Sequence, residues 1–282
     1  MDGILIINKP QGYTSHDIVN IVKKALNTPK VGHTGTLDPN ATGVLPILIG
    51  KATKVSKYLI EHNKTYVAEL ALGEKSSTGD TEGEIIEKKE VPLLNEEQIK
   101  QVLKSFEGKQ MQTPPIYSSI KINGKKAYEY ARKGQNIQLE PRPIEIMKIS
   151  FIKFENNVLK YEVQCSKGTY IRVLCEDIAE RLGTVGLMKN LCRTRVNEFD
   201  IEDSCKIEQI AKEKIISIEK VCNIKPKIEL DDKTKEKFLN GVKLNFNMEN
   251  GVYRIYNKKI FLGLGVINNN ILKRDVIIID NF

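Results

Sequence analysis

Hydrophobic and polar positions along the chain follow two periods, one typical of helices and the other typical of strands. Ile4–Ile7 is a short apolar run that predicts a buried strand. Thr14 and Ser15 precede apolar positions at helical spacing, from Ile18 to Leu26, and predict a capped helix. The same patterns predict strands at Tyr66–Leu72, Ile144–Phe154 and Val158–Cys165 and a tight turn at Asn123–Gly124. They also predict two further helices. One starts at Asn95, carries Ile99 to Phe106 and stops at Gly108, and the other spans Tyr170–Leu182.

The pattern changes near residue 225, where short apolar runs separated by turns replace the helices. Strands are predicted there at Gly251–Tyr256, Ile260–Ile267 and Ile271–Ile279. The length of 282 residues suits one large domain and a small one. We therefore predict a mixed α+β body over residues 1–224 and a small all-β domain over residues 225–282.

The chain is basic, with 44 Lys+Arg against 36 Asp+Glu and a net charge of +8. A basic balance favours polyanionic partners, although an excess of this size also occurs on ordinary protein surfaces. Residues 120–142 carry half of the net charge, and tyrosines accompany it, which suits contacts with RNA phosphates and bases. The alternative is a solvated helix face with core tyrosines. The candidate contact residues are Tyr117, Lys125, Lys126, Arg132 and Lys133.

Several other classes of protein are disfavoured by the sequence. The N-terminus carries an acid and only four consecutive apolar residues, so it does not predict a signal peptide, and no apolar run approaches the length of a membrane span. The five cysteines never form C-x-x-C and only three histidines are present, which predicts neither a disulfide framework nor a metal site. Gly43–Lys51 lacks the P-loop spacing, and no G-x-G-x-x-G occurs. We expect a cytoplasmic protein without a cofactor.

Residues 32–46, GHTGTLDPNATGVLP, combine turn-forming residues with a single carboxylate, Asp38. Three glycines and two prolines impose an unusual backbone path on this stretch. Its neighbours Leu37 and Pro39 limit the mobility of Asp38, which a carboxylate nucleophile or base requires. An Asp–Pro step also commonly does no more than hydrogen-bond its own turn. The loop taken alone leaves both interpretations open.

Five stretches carry a resemblance to a known family, in the same order along the chain. They are GILIINKPQGYTSHDIV (3–19), GHTGTLDPNATGVLP (32–46), NKTYVAEL (63–70), TPPIYSSIKINGKKAYEYARKG (113–134) and CSKGTYIRVLCEDIAERLG (165–183). Together they resemble the TruB-type tRNA pseudouridine synthases. The resemblance implies a catalytic domain of pseudouridine synthase type with a mixed, mainly antiparallel sheet, followed by a PUA-like RNA-binding domain. It also implies a reaction in which uridine 55 of the tRNA T-loop is detached at N1 and rejoined through C5.

The resemblance also implies roles for individual residues. Asp38 matches the catalytic aspartate, which attacks the uracil C6 or the sugar C1′ or abstracts a sugar proton; these routes stay open. Arg172 matches the arginine that pairs with it, and a neighbouring cation predicts a lowered pKa for Asp38 and activity at mildly acidic pH. Tyr66 matches the residue that stacks on the flipped base and helps to remove the C5 proton. His33 matches the residue that fills the space left by the base, Leu191 an apolar wall of the uracil pocket, and Lys9 a support of the Asp38 loop. Without the resemblance, the alternatives are a surface helix charge for Arg172, a half-buried strand aromatic for Tyr66, a solvated loop residue for His33 and a core residue for Leu191.

The TLDP sequence at residues 36–39 resembles the TruB branch, whereas other synthase branches carry Arg-Leu-Asp. Guide-RNA-dependent relatives share this core but carry longer extensions. We therefore predict a stand-alone, monomeric enzyme that grips the tRNA T-arm with a thumb at residues 117–142, without a guide RNA or protein partner. The alternative is a tRNA-binding folding chaperone whose catalysis is dispensable or lost, although the set of Asp38, Tyr66 and Arg172 argues against lost catalysis.

Overall fold

The computed structural model describes residues 1–60, 63–118, 120–122, 124–131, 133–135, 137–222, 224 and 226–279. Its helices are α1 (Ser15–Ala25), α2 (Ser56–Ile60), α3 (Glu96–Lys104), α4 (Ala127–Ala131), α5 (Ile171–Arg181), α6 (Ile218–Val221) and α7 (Asp232–Leu239). Its strands are β1 (Gly3–Lys9), β2 (Val31–His33), β3 (Thr42–Ile49), β4 (Lys64–Leu72), β5 (Glu74–Ser76), β6 (Ile85–Lys88), β7 (Gly108–Gln112), β8 (Lys121–Ile122), β9 (Lys125–Lys126), β10 (Arg142–Glu155), β11 (Val158–Cys165), β12 (Gly186–Val196), β13 (Phe199–Asp200), β14 (Lys227–Glu229), β15 (Leu244–Asn245), β16 (Gly251–Asn257), β17 (Ile260–Asn268) and β18 (Ile271–Ile277).

A large sheet forms the body of the molecule, and its strands run in the order β1-β3-β12-β4-β11-β10-β7. In the described part of the chain, β2 also pairs with β3 and β13 with β12. Neighbouring strands are antiparallel except β3 and β12, which pair in parallel over Thr42–Cys192 and Gly43–Arg193. The predicted mixed, mainly antiparallel sheet is confirmed. Its one parallel junction lies beside the Asp38 loop, residues 34–41, which connects β2 to β3.

Helices α1, α3 and α5 contribute their apolar faces to the core of this sheet. Their starts follow the sequence: Thr14 and Asp17 form a reciprocal capping box on α1, and Asn95 and Gln98 form one on α3. The prediction extended α3 too far, because the helix ends at Lys104. Phe106 is still buried, beneath the Arg181 guanidinium, which lies 3.8 Å from the centre of its ring.

The predicted strands of the body are present with ends shifted by a few residues. The sequence did not reveal the hairpin of β5 and β6, nor the long strand β12. Of the predicted turn at Asn123–Gly124, Asn123 lies outside the described residues. Gly124 has a φ of +82°, and the flanking Ile122 and Lys125 pair across it, as a hairpin requires.

A second sheet occupies the C-terminal part, with the order β14-β16-β17-β18-β15. It agrees with the predicted C-terminal β domain, except that the short helix α7 packs Phe238 into its core. Leu264 and Val276 of this sheet join an apolar cluster that also contains Val44 and Leu48 of β3. The Tyr58 hydroxyl donates a hydrogen bond to Asp275 across the same contact. The two sheets therefore share a core, and the division at residues 224/225 stays a prediction.

Two further observations concern membranes and thiols. Among the described helices, none is long and apolar enough to cross a membrane. The five cysteines carry free thiols; four are buried, and Cys192 is half-buried.

Candidate active site

A cavity of about 490 Å³ opens beside the parallel junction of the large sheet. Six segments form its walls: the Asp38 loop, the start of β4, the turn between β5 and β6, the start of the thumb at residues 117–118, the loop that leads into α5, and the middle of β12. Residues that are far apart in sequence, such as Asp38, Tyr66, Arg172 and Leu191, all line it. The volume lies in the range of sites that hold one small molecule or one nucleotide.

The backbone of the Asp38 loop is fixed where it enters β3. Gly43 has a φ of +102°, and a Cβ built on it would lie 2.2 Å from the Arg193 carbonyl oxygen. A side chain at this position would therefore separate β3 from β12. The glycine lets the loop pass directly against the strand that carries Leu191 and Arg193.

Two buried polar side chains hold the backbone of the Asp38 loop through hydrogen bonds. Ser15, at the start of α1, donates to the Leu37 carbonyl oxygen at 3.1 Å and accepts from the Leu37 amide at 2.9 Å. The Lys9 ammonium donates to the carbonyl oxygens of Pro10, Tyr13 and Pro39 at 2.9, 2.7 and 3.0 Å. Because Leu37 and Pro39 flank Asp38, these contacts fix the carboxylate on both sides.

A Lys9→Met protein is expected to be less stable than the wild type by about 1–3 kcal/mol, because its buried carbonyls lose their donor. Burial lowers the pKa of Lys9 to about 8, yet three carbonyl acceptors need the three N–H donors of the charged form. Urea unfolding at neutral pH measures the change. Lys24→Met, on the exposed side of α1, is the control. Equal stability of both variants would contradict the role given to Lys9.

Arg172 forms an ion pair with Asp38, with its Nε 3.2 Å from Oδ2. The first turn of α5 carries this arginine, and its side chain is 8% exposed. Its other nitrogens donate to the carbonyl oxygens of Thr78 at 3.1 Å and Tyr117 at 2.9 Å. The guanidinium therefore has a fixed position, and its charge lies next to the Asp38 carboxylate at the cavity wall.

Asp80 is a second acidic partner of Arg172, which the sequence did not reveal. Its Oδ2 lies 3.6 Å from Nη1 of Arg172, and its Oδ1 accepts from the Thr78 hydroxyl and the Glu82 amide. A bridge between Asp80 and Met188 of β12 brings this residue to the cavity. Its sequence surroundings, Ser-Thr-Gly-Asp, are typical of a turn and gave no signal of the contact.

The pKa of Asp38 is raised above its ordinary value, so the predicted lowering is wrong. Burial is the largest cause, and the Arg172 and Lys9 cations oppose it while Asp80 adds to it. The side chain remains 40% exposed, and it lines the cavity, whose walls limit its hydration. The ion pair thus offsets only part of the cost of ionising a carboxylate in this cavity.

Tyr66 and Leu191 line the same cavity from the strands β4 and β12. Tyr66, on β4, is 7% exposed, and burial raises the pKa of its hydroxyl while Arg193 opposes the rise. Leu191 lies on the neighbouring strand β12 and is 8% exposed. Tyr117 lines the cavity from the start of the thumb. The structure therefore gathers an aromatic ring, an aliphatic side chain and a carboxylate around one space.

His33 does not line this cavity but closes β2 immediately before the Asp38 loop. Its Nδ1 is buried without a hydrogen-bond partner among the described residues. Burial lowers the pKa of His33, and the charges of Arg193, His16 and Lys126 lower it further. The imidazole is therefore neutral near pH 7.

The thumb carries Lys125 and Lys126 on a small hairpin and Lys133 after the short helix α4. Lys125 and Lys133 are exposed, Lys126 is half-buried, and Arg132 lies outside the described residues. The charge of Lys126 acts on His33, so the hairpin lies beside the entrance to the Asp38 loop. This position suits a contact with a substrate that extends beyond the cavity.

Comparisons with known proteins agree with this architecture. The N-terminal domain of the TruB family pseudouridylate synthases matches residues 23–171, the tRNA pseudouridylate synthase B C-terminal domain matches residues 172–225, and the C-terminal domain of pseudouridine synthase II TruB matches residues 226–274. A solved structure of a Cbf5-Nop10-Gar1 complex contains a similar chain, with a TM-score of 0.70 and 26% identity over 99% of this chain and 84% of that one. The fold and site thus define a pseudouridine synthase.

Relatives found by sequence have a higher identity to this chain than that solved structure. The tRNA pseudouridine synthase B of Caldanaerobacter subterraneus subsp. tengcongensis is 43% identical over 272 residues, which cover 94% of this chain and 95% of that protein. The enzyme of the same name from Clostridium kluyveri is 43% identical over 279 residues, with coverage of 94% and 96%. The chain belongs to the TruB family of tRNA pseudouridine synthases.

Proposed function

We propose that the protein isomerises uridine 55 in the T-loop of tRNA to pseudouridine, with Asp38 as the residue that acts on the nucleotide. The observation that carries this proposal is the ion pair between Asp38 and the fixed guanidinium of Arg172 at the wall of a cavity the size of a nucleotide. The names of the sequence relatives support tRNA as the substrate class. They also favour the enzyme over the alternative of a chaperone without catalysis.

The cavity surroundings support a division of work among the residues. Asp38 attacks the uracil C6 or the sugar C1′, or abstracts a sugar proton, and each route requires its ionised form. Tyr66 stacks on the uracil ring and assists removal of the C5 proton, and Leu191 packs against the same ring. Because Tyr66 is hardly exposed, the base enters the cavity to meet it, which requires the nucleotide to leave the RNA stack.

The remaining contacts are proposed to lie outside the cavity. His33 is neutral and precedes the Asp38 loop, which suits a residue that fills the space vacated by the base. The thumb cations bind phosphates of the T-arm, and the predicted C-terminal domain, residues 225–282, adds a PUA-like RNA-binding surface. In this proposal the enzyme acts as a monomer and requires no guide RNA or protein partner.

Position-specific mapping tests the proposed reaction. The purified protein is incubated with an unmodified tRNA transcript, and pseudouridine is located after chemical labelling. The proposal expects modification at position 55 of the T-loop and none in a transcript with cytidine there. Modification confined to another arm would overturn the assigned site, and the absence of pseudouridine would overturn the proposed reaction.

Replacement of Lys125, Lys126 and Lys133 by Gln is expected to weaken tRNA binding by about tenfold or more at low salt, because phosphate contacts are lost. The slope of log affinity against log salt should decrease by about one for each contact removed. Binding titrations over a range of salt concentrations measure both effects. A triple replacement of exposed lysines away from the thumb, Lys100, Lys104 and Lys153, is the control. An unchanged slope would contradict the role of the thumb.

A further inference from the structure

Arg193 is a buried cation at the centre of the parallel junction. It is 1% exposed, although it carries a permanent charge. Its Nε donates to the Val44 carbonyl oxygen at 2.7 Å, and its Nη2 donates to the Gly35 carbonyl oxygen at 2.8 Å. No carboxylate of the described residues forms an ion pair with it. Such a charge is costly to bury, so its contacts call for an explanation beyond packing.

The two carbonyl acceptors of Arg193 lie on opposite sides of Asp38 in sequence. Gly35 precedes the aspartate by three residues, and Val44 follows it in β3. A planar guanidinium donates in two directions from one rigid group, which a lysine ammonium does not reproduce. Arg193 therefore ties the start of the Asp38 loop and the strand that follows the loop to β12.

The same guanidinium faces Tyr66. Arg193 and Tyr66 are direct partners across β12 and β4, so their side chains lie on the same face of the sheet. The charge of Arg193 favours the ionised form of the Tyr66 hydroxyl. Both residues line the cavity. One side chain thus holds the backbone on either side of Asp38 and lies on the same face of the sheet as Tyr66.

We propose that Arg193 is a positioning residue of the isomerisation, which sets the separation between the Asp38 carboxylate and the Tyr66 hydroxyl across the cavity. The inference rests on the proposed function, because it assigns no chemistry of its own to Arg193. It adds a cation to the site that is distinct from Arg172. Arg172 pairs with the carboxylate itself, whereas Arg193 donates to the backbone carbonyls of Gly35 and Val44 and acts on Tyr66 through its charge.

An Arg193→Lys protein should therefore lose turnover while it still binds RNA. We expect kcat to fall about 10- to 100-fold, because a small displacement of a catalytic group reduces the rate by this amount. KM and tRNA affinity should change little. Arg195→Lys is the matched control, because Arg195 lies two residues further along the same strand, is exposed and pairs with Asp200. A kcat equal to that of the control would overturn the proposal.

A double-mutant cycle with Tyr66→Phe separates positioning from a general loss of structure. If Arg193 acts partly through the Tyr66 hydroxyl, Arg193→Lys reduces kcat by a smaller factor in the Tyr66→Phe background than in the wild type. Full additivity of the two effects on kcat would overturn that part of the inference. Thermal unfolding of all four proteins establishes that the comparison is between folded molecules.

Gly35→Ala gives an independent test should Arg193→Lys fail to fold. A Cβ at Gly35 would lie 3.2 Å from Nη1 of Arg193, and the residue has a φ of +69°, so the guanidinium and the turn must both adjust. We expect a lowered kcat that is also non-additive with Tyr66→Phe; wild-type turnover or full additivity would overturn the inference.

Wild-type activity and the variant ratios answer separate questions. The proposed function is tested by the position that the wild type modifies. The double-mutant cycle is measured at whichever uridine that is. An inactive wild type would overturn both.

Discussion

An Asp38→Asn protein is expected to bind tRNA as tightly as the wild type and to form no detectable pseudouridine. Asparagine has nearly the same shape as aspartate, so the contacts of Lys9 and Ser15 with the neighbouring backbone should persist. It lacks the anionic oxygen that each route to pseudouridine requires, and the loss of a covalent catalyst costs many orders of magnitude in rate. Single-turnover assays at saturating enzyme measure the rate, and filter binding measures the affinity.

The control for this substitution is Asp203→Asn, which changes an exposed aspartate outside the cavity. It should retain wild-type turnover. Pseudouridine formed by Asp38→Asn at a rate near that of the control would remove Asp38 from the mechanism. Loss of binding together with turnover would instead show that the carboxylate holds the loop in shape.

An Arg172→Gln protein is expected to lose about 100-fold or more in turnover and to need a higher pH for its remaining activity. Burial raises the pKa of Asp38, and Arg172 is the largest influence that opposes the rise. Without this cation the pKa rises further, so protonation inactivates the variant at a higher pH than it inactivates the wild type. The acidic limb of the pH profile of kcat/KM should therefore move upward.

Arg181→Gln is the matched control, because Arg181 ends the same helix and lies on the exposed surface over Phe106. Its pH profile should coincide with that of the wild type. An acidic limb that stays in place in Arg172→Gln, with turnover reduced, would show that Arg172 acts on the substrate rather than on the ionisation of Asp38.

Local signals predicted much of the fold from the sequence. The start of α1 followed from a cap at Thr14 and Ser15, and the start of α3 followed from a capping box at Asn95, since a cap depends only on residues close in sequence. The strands β10 and β11 followed from apolar runs bounded by a turn. The end of α3 was misplaced because Phe106 belongs to the core but not to the helix, and burial periodicity does not distinguish the two cases.

The site was only partly predictable for a physical reason. Asp38 stood out because its own neighbours restrict its backbone, whereas Asp80 and Arg193 reach the cavity through contacts with distant strands. The direction of the Asp38 pKa depended on the same distant walls. The family resemblance implied that Arg172 pairs with Asp38, which reveals the attraction but not the desolvation that exceeds it.

The apolar cluster shared by the two sheets bears on how the C-terminal region can be studied. Leu264 and Val276 share an apolar cluster with Val44 and Leu48 of β3. Strand β3 directly follows the Asp38 loop, and its Val44 carbonyl accepts a hydrogen bond from Arg193. A fragment cut before the second sheet would expose that strand to water. Any activity lost by such a fragment would report on a weakened catalytic scaffold as well as on missing RNA contacts, so point substitutions on the outer face of the sheet are the cleaner probe of what it binds.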